Sequence, residues 1–245
     1  MSGKGYIKRP TGNTVSSGAS AKPELRPDSP AALADVAAVS RETVDRLKIY
    51  VDLLKRWQPA QNLVAPSTLG EIWSRHVADS LQPHFLLPKA RRWVDFGSGA
   101  GFPGLVTAIL LMEAEGSEGV EPIVHLLESN QRKAAFLRTV IRDTGCPAKV
   151  HAKRIEDVLA DWSESVDAVS ARALASLSVL CGFAHPLVEK GAIAIFHKGK
   201  NFREEIIEAS HAWELDLVEK KSLVDPDSRL LIISRISARS GTGKG

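Results

Sequence analysis

The chain has 245 residues, 44% of them hydrophobic and 25% charged, which excludes a disordered protein, a coiled coil and a disulfide-stapled miniprotein and leaves room for one α/β domain with an appendage. Its net charge of +3 is uneven: residues 1–30 carry +3, residues 234–245 another +3, and the 203 residues between them sum to −3. A globally basic nucleic-acid binder is thereby excluded, and any polyanion must be met by a local patch or by the two ends.

In chain order, residues 1–30 read as a flexible tail with Pro10, Pro23, Pro27 and Pro30. A short helix is expected over 31–39. Ser40 then has the character of an N-cap, and Val44, Leu47, Val51 and Leu54, broadened by Tyr50, Leu53 and Trp57, give an amphipathic helix ending before Pro59. Thr68 with Glu71 fits a capping box for a second helix running through Trp73, His76 and Leu81 toward Pro83. Residues 31–88 therefore read as a helical cap that must pack on the rest.

From Arg91 the pattern changes to alternation. Strands are expected at 92–96, 123–127, 148–151, 166–170 and 191–197, with helices at 103–113, 130–144, 155–161, 174–188 and 202–213. Such alternation predicts a parallel sheet covered on both faces. Segments 214–223 and 229–236, joined by Asp225-Pro226-Asp227, read as a terminal β-hairpin that brings one antiparallel edge strand. Residues 237–245 read as a second tail. Cys146 and Cys181 belong to no CxxC or Cys/His cluster, so reduced thiols and no metal are expected. The apolar run Leu105 to Met112 is too short for a bilayer, and Met1 to Ser20 lacks a signal-peptide core, so a cytoplasmic protein is expected.

The most informative segment runs from Val94 through Asp95, Gly97, Gly99, Gly101 and Phe102 to Gly104, after the first strand and before its helix. Glycines there let the backbone turn tightly and approach a ligand. Gly99-x-Gly101-x-x-Gly104 matches the dinucleotide fingerprint. Gly97-x-Gly99-x-Gly101 after Asp95 matches the loop of class I S-adenosylmethionine methyltransferases, in which the acid takes the methionine ammonium. The strand ends before Gly97, and the reversed hairpin gives seven strands; both favour the methyltransferase frame. Glu128, at the end of the second strand, can accept from both ribose hydroxyls of either cofactor. After the third strand, Ile155 can pack on an adenine face with Glu156 along its edge, although Glu156 also suits the first turn of a helix.

The chain resembles the glucose-inhibited division protein B family, bacterial guanine-N7 methyltransferases of small-subunit ribosomal RNA. The resemblance covers residues 40–236 and rests on Tyr50 to Trp57, Gln61-Asn62-Leu63, Arg75-His76-Val-Ala-Asp79-Ser80, the loop Asp95 to Gly104, Leu127 to Lys133, Arg172-Ala-Leu-Ala-Ser176 and Lys198-Gly199. It implies a Rossmann-like, seven-stranded class I methyltransferase domain over residues 89–236 and S-adenosylmethionine as cofactor. The implied substrate is 16S ribosomal RNA or a small-subunit precursor, with no metal, no membrane and a monomeric enzyme. It also implies that Gly97, Phe102, Glu128, Ile155, Glu156 and Arg172 face the cofactor. Ala171 stands where a serine often precedes the arginine, and Val64 where a threonine often follows Asn-Leu.

Guanine N7 carries a free lone pair, so its methylation is an in-line displacement that needs no general base; positioning and desolvation do the work. With N7 methylated, O6 remains to be recognised. Arg172 and Lys198, at strand C-termini, are the candidate donors to it, and Arg172 also reads as a salt bridge closing its strand end. Lys198 with Lys200 and Arg203 also reads as a solvated or phosphate-binding group. His76 reads as a hydrogen-bonded packing residue, and Arg75 with Asp79 as a structural i,i+4 pair. Arg132, Lys133, Arg138 and Arg142 read as a solvated helix face, and the five tryptophans as packing residues. Three rivals stay open: a small-molecule methyltransferase, an NAD-linked oxidoreductase and a non-catalytic ribosome-assembly protein.

Overall fold

The computed structural model describes residues 28–113 and 119–239; most of both expected tails lies outside these. Helix α1 spans Arg41–Gln61, capped by Ser40, whose hydroxyl accepts from the Thr43 amide at 3.1 Å. It runs past Pro59, contrary to the expected end. Pro59 and Lys55 both face solvent, so the backbone bond that proline removes leaves no buried carbonyl exposed to loss. Asn62, in the left-handed conformation (φ 47°), closes the helix.

The chain then follows a 3₁₀ turn (Pro66–Glu71), a π-helical turn (Ile72–Val77) and helix α2 (Ala78–Leu86). The capping box is not formed: Thr68 sits inside the 3₁₀ turn, and its hydroxyl donates to the Ala65 carbonyl at 2.9 Å. The expected Arg75–Asp79 pair is also absent, since Arg75 meets Glu71 (3.5 Å) and Asp79 meets Arg172 (3.3 Å). Asp28 accepts from the Trp73 and Ser74 amides at 2.8 Å and so caps the π turn. Residues 31–39 contain only a 3₁₀ segment, Pro30–Asp35.

Seven strands follow: β1 (Arg92–Phe96), β2 (Ile123–Leu127), β3 (Ala148–His151), β4 (Ala168–Arg172), β5 (Ile193–Lys198), β6 (Trp213–Lys221) and β7 (Arg229–Ala238). Between them lie α3 (Gly104–Leu110), α4 (Gln131–Thr144), α5 (Ile155–Ala160), α6 (Leu177–Val188) and α7 (Phe202–Ala209). The order is β3-β2-β1-β4-β5-β7-β6. Strands β1 to β5 pair in parallel, and antiparallel pairing is confined to the hairpin edge, where β7 inserts between β5 and β6. This is the class I methyltransferase arrangement.

Central strands buried on both faces should be near-continuously apolar, and Trp93, Val94 and Phe96 in β1 and Ala194, Ile195 and Phe196 in β5 are buried. One core joins the cap to α3 and α4 on one face; the other joins α5, α6 and α7 to the opposite face. Trp73 and Trp93 are core residues, and Trp57 packs on Phe136 with ring centres 5.7 Å apart. Both cysteines are free and buried, and burial pushes the Cys181 thiol up to about 12. Among the described residues no helix is long and apolar enough to cross a membrane.

Candidate active site

The strand order reverses direction between β1 and β4, and in open α/β sheets ligands bind outside the strand C-termini at such a point. There the structure opens a cleft of about 560 Å³. Gly97, Gly99, Phe102, Glu128, Ile155, Glu156 and Arg172 all line it. The glycine loop forms its floor, with Gly97, Gly99 and Gly101 at φ values of 62°, 56° and 98°. Such angles are strained for any residue with a Cβ. At Gly97 a Cβ would also meet Leu174 Cδ1 at 2.5 Å, within the cleft.

The carboxylate of Glu128 accepts from the Gly99 amide through Oε2 (2.8 Å) and from the Asn130 amide through Oε1 (2.7 Å). Each oxygen keeps a further lone pair for a diol. Ile155 is half-buried and Glu156 exposed at the opening turn of α5. An acid at the end of β2, an apolar side chain after β3 and a loop that lacks a Cβ at positions 97 and 99 fit an adenosine-bearing ligand.

Three expected site residues lie outside the cleft lining. Gly101 packs against Leu105 and the Tyr50 hydroxyl, so its role is to let the loop turn beneath the cap. Asp95 is buried under the loop. Its Oδ1 accepts from the Ser170 hydroxyl at 2.7 Å, while Oδ2 faces the Gly104 amide without closing a well-formed hydrogen bond. Burial raises its pKa to about 6 against the Ser170 hydrogen bond.

Lys198 departs furthest from expectation. It is neither solvated nor aimed at the cleft: its ammonium is buried and donates to the Ala175 carbonyl and to Glu205 Oε2, each at 2.6 Å. Glu205 Oε2 also accepts from the Leu177 amide at 2.8 Å. The pair therefore ties down the loop 173–176 and the first turn of α6, and donation from Lys198 to a base is replaced by this bracing.

Arg172 ends β4 with its side chain in the cleft. It meets Asp79 Oδ2 at 3.3 Å and His76 Nδ1, and its guanidinium lies 5.4 Å from the Phe102 ring centre. Burial lowers its pKa from the ordinary value, opposed by Asp79. His76 is hydrogen-bonded and packed, as expected, with its ring stacked on Phe102 (5.2 Å, 21°); it also lines the cleft. Burial, with the Arg172 and Arg75 charges, lowers its pKa to about 4.

Sequence reasoning missed Leu63 and Val64 as cleft residues, although Leu63 belongs to the Gln61-Asn62-Leu63 run. The Gln58 side chain holds them in place, donating to the Val64 carbonyl (2.8 Å) and accepting from its amide (3.0 Å). It also missed Leu174, Val179 and Phe183, which line the cleft as well. The i,i+3 spacing of His76 and Asp79 was the available signal for a shared face. Among the described residues no group of three or more His, Cys, Asp or Glu side chains is placed to hold a metal.

Residues 43–231 match the family described as rRNA small subunit methyltransferase G. The chain belongs to this family. It is 48% identical over 224 residues to the Ribosomal RNA small subunit methyltransferase G of Bradyrhizobium sp. (strain ORS 278), covering 91% of this chain and 98% of the relative. It is 48% identical over 205 residues to the protein of the same name from Rhizobium meliloti (strain 1021), covering 82% and 93%. A solved structure of a candidate O-methyltransferase from Klebsiella pneumoniae shares the fold, with a TM-score of 0.53 at 11% identity over 83% of this chain and 94% of that one. Within the family, the loop from Asp95 to Gly104 and the motif from Arg75 to Ser80 are the parts of this chain that meet around Arg172.

Proposed function

We propose that this protein is an S-adenosylmethionine-dependent methyltransferase that acts in the cytoplasm on N7 of a guanine in 16S ribosomal RNA, within the RNA or a small-subunit precursor. One observation carries the reading. In a chain of this family, one cleft is lined together by the glycine loop, Glu128 and Arg172, with the Arg172 guanidinium 5.4 Å from the ring of Phe102 in that loop.

The cofactor supplies an electrophilic methyl group on a sulfonium. Glu128 is the acceptor for its ribose hydroxyls, Ile155 and Glu156 flank its base, and Gly97 and Gly99 let it lie against the main chain. Asp95 acts from beneath the loop as its anchor, and Lys198 acts through Ala175 and Leu177. Arg172 gives N–H donors to the cap and keeps others for the cleft, where guanine O6 is the acceptor left beside N7. No general base is required, and no ionisable group in the cleft need change its proton.

The test is incubation with methyl-labelled S-adenosylmethionine and, separately, naked 16S RNA, small subunits and a metabolite extract. Label in RNA that maps to 7-methylguanine by chemical cleavage is the expected result. Label confined to a metabolite overturns the RNA reading and favours a small-molecule substrate.

A further inference from the structure

Arg172 is held from three directions, and two of them come from the helical cap. An arginine side chain can only donate hydrogen bonds. Its contact with His76 Nδ1 therefore requires that nitrogen to be unprotonated. The ring proton then sits on Nε2, which donates to Thr68 Oγ1 at 2.8 Å, while the Thr68 hydroxyl donates onward to the Ala65 carbonyl at 2.9 Å. Every hydrogen in this chain has one direction, and the chain ends on a backbone acceptor. The second restraint is Asp79 Oδ2, at 3.3 Å from Arg172. Asp79 is itself fixed, because its Oδ1 accepts from Gln82 Nε2 (2.9 Å) and from the Ser222 hydroxyl (3.1 Å). The third is the face of Phe102 in the glycine loop, on which both His76 and the guanidinium rest.

We propose that His76 is a positioning residue for methyl transfer: its Nδ1, with Asp79 beside it, aims the Arg172 guanidinium into the cleft, so that the helical cap completes the active site. The proposal rests on the reading above, in which Arg172 faces the reacting groups. The π-helical turn carrying His76 supports it, since such turns recur at functional sites, and this one brings His76 and Asp79 to the same strand end. The low pKa of His76 fits the same role, because the ring stays uncharged beside a guanidinium. A misaimed positioning group costs rate rather than affinity, by as much as about 100-fold per ångström.

Two variants of the full chain separate positioning from packing. His76→Phe keeps a ring on Phe102 and removes the acceptor. His76→Asn restores an acceptor oxygen near the Nδ1 position. With small subunits as substrate, His76→Phe is expected to lower kcat about 10-fold or more, with KM for RNA and Kd for S-adenosylmethionine within about threefold of wild type. His76→Asn is expected to recover most of that loss. Unchanged kcat in His76→Phe, or Asn no better than Phe, overturns the proposal. A third measurement needs no reaction: nitrogen-15 histidine spectra of the free wild-type protein should show His76 as the Nε2–H tautomer. An Nδ1–H tautomer overturns the positioning role whatever the substrate is. If the wild-type protein methylates no RNA, it is the functional reading that fails, and the spectrum still decides the hydrogen-bond chain.

Discussion

The hydroxyl of Tyr50 donates to the carbonyl of Ala100 at 2.6 Å, a buried hydrogen bond between the cap and the glycine loop. The Tyr50 ring lies 5.3 Å from Phe102, so one side chain restrains both the loop backbone and the aromatic platform under Arg172. Burial raises the Tyr50 pKa, which keeps the phenol protonated as a donor. The cap is thus hydrogen-bonded to the loop as well as packed on the domain.

Tyr50→Phe tests that bond. It keeps the ring and leaves the Ala100 carbonyl buried without its donor, which costs about 1–3 kcal/mol. A lower melting temperature and weaker S-adenosylmethionine binding by calorimetry are expected together. A stability loss with unchanged cofactor affinity would separate the bond from the shape of the loop.

Two glycines of the loop should fail in different ways. At Gly97 the added methyl meets a flexible, part-exposed leucine, so Gly97→Ala should fold, with strain of about 1 kcal/mol or more from its positive φ, yet lose cofactor affinity. Gly97→Val should bind no cofactor. At Gly104 the methyl meets Leu126 Cδ2 and lies 2.6 Å from Asp95 Oδ2, both within the core. Gly104→Ala should therefore lower stability first. Thermal melts beside calorimetry read the contrast, and equal melting temperatures for the two alanine variants would contradict it.

The parts of this molecule that were legible in the sequence are those governed by local pattern. β1, β2 and β3 fall on the expected residues; β1 and β2 are short, mostly apolar and buried, and β3 is placed by the strand–helix alternation around it. β4 and β5 are displaced toward their C-termini, to Arg172 and Lys198, since pairing across the sheet rather than side-chain pattern decides where a strand ends. Gly97 and Glu128 were legible because a turn with positive φ and an acid at a strand end leave a signature. Lys198 was misread because its partner Glu205 stands on another element. Glu205 also caps α6 through the Leu177 amide, a contact that no sequence rule for N-caps contains. His76 was read as packing alone because nothing local marks the approach of Arg172, 96 residues further on.

Asp95 gives a pH dependence whose sign is fixed. Burial lifts its pKa from the ordinary 3.8 to about 6. The folded protein then binds this proton more tightly than the unfolded chain does. Its stabilising contribution is full below about pH 3.8 and is lost as the pH rises through about 6. Asp95→Asn mimics the protonated form and should melt higher than wild type at pH 7.5, with the gap closing toward pH 4. The same substitution removes the charge under the loop, so weaker S-adenosylmethionine binding is expected despite the greater stability. A variant that melts lower than wild type at pH 7.5 would show that the carboxylate charge stabilises the free protein.

Lys198 and Glu205 offer the sharpest test of how this site is held. If the lysine contacted a base, its loss would slow methyl transfer and the loss of Glu205 would leave turnover intact. The structure predicts the opposite pairing: Lys198→Met and Glu205→Leu should slow the reaction alike, because each releases Ala175 or Leu177 from the brace. Glu205→Leu leaves a buried ammonium and Lys198→Met a part-exposed carboxylate without its partner, and each should cost about 2–4 kcal/mol, below a fully buried pair. The double variant should cost less than the sum of the singles, since neither charge remains to be desolvated. Chemical denaturation of the four proteins gives the coupling energy, and single-turnover methylation of small subunits gives the rates. Additive stabilities with full activity in Glu205→Leu would return Lys198 to the substrate.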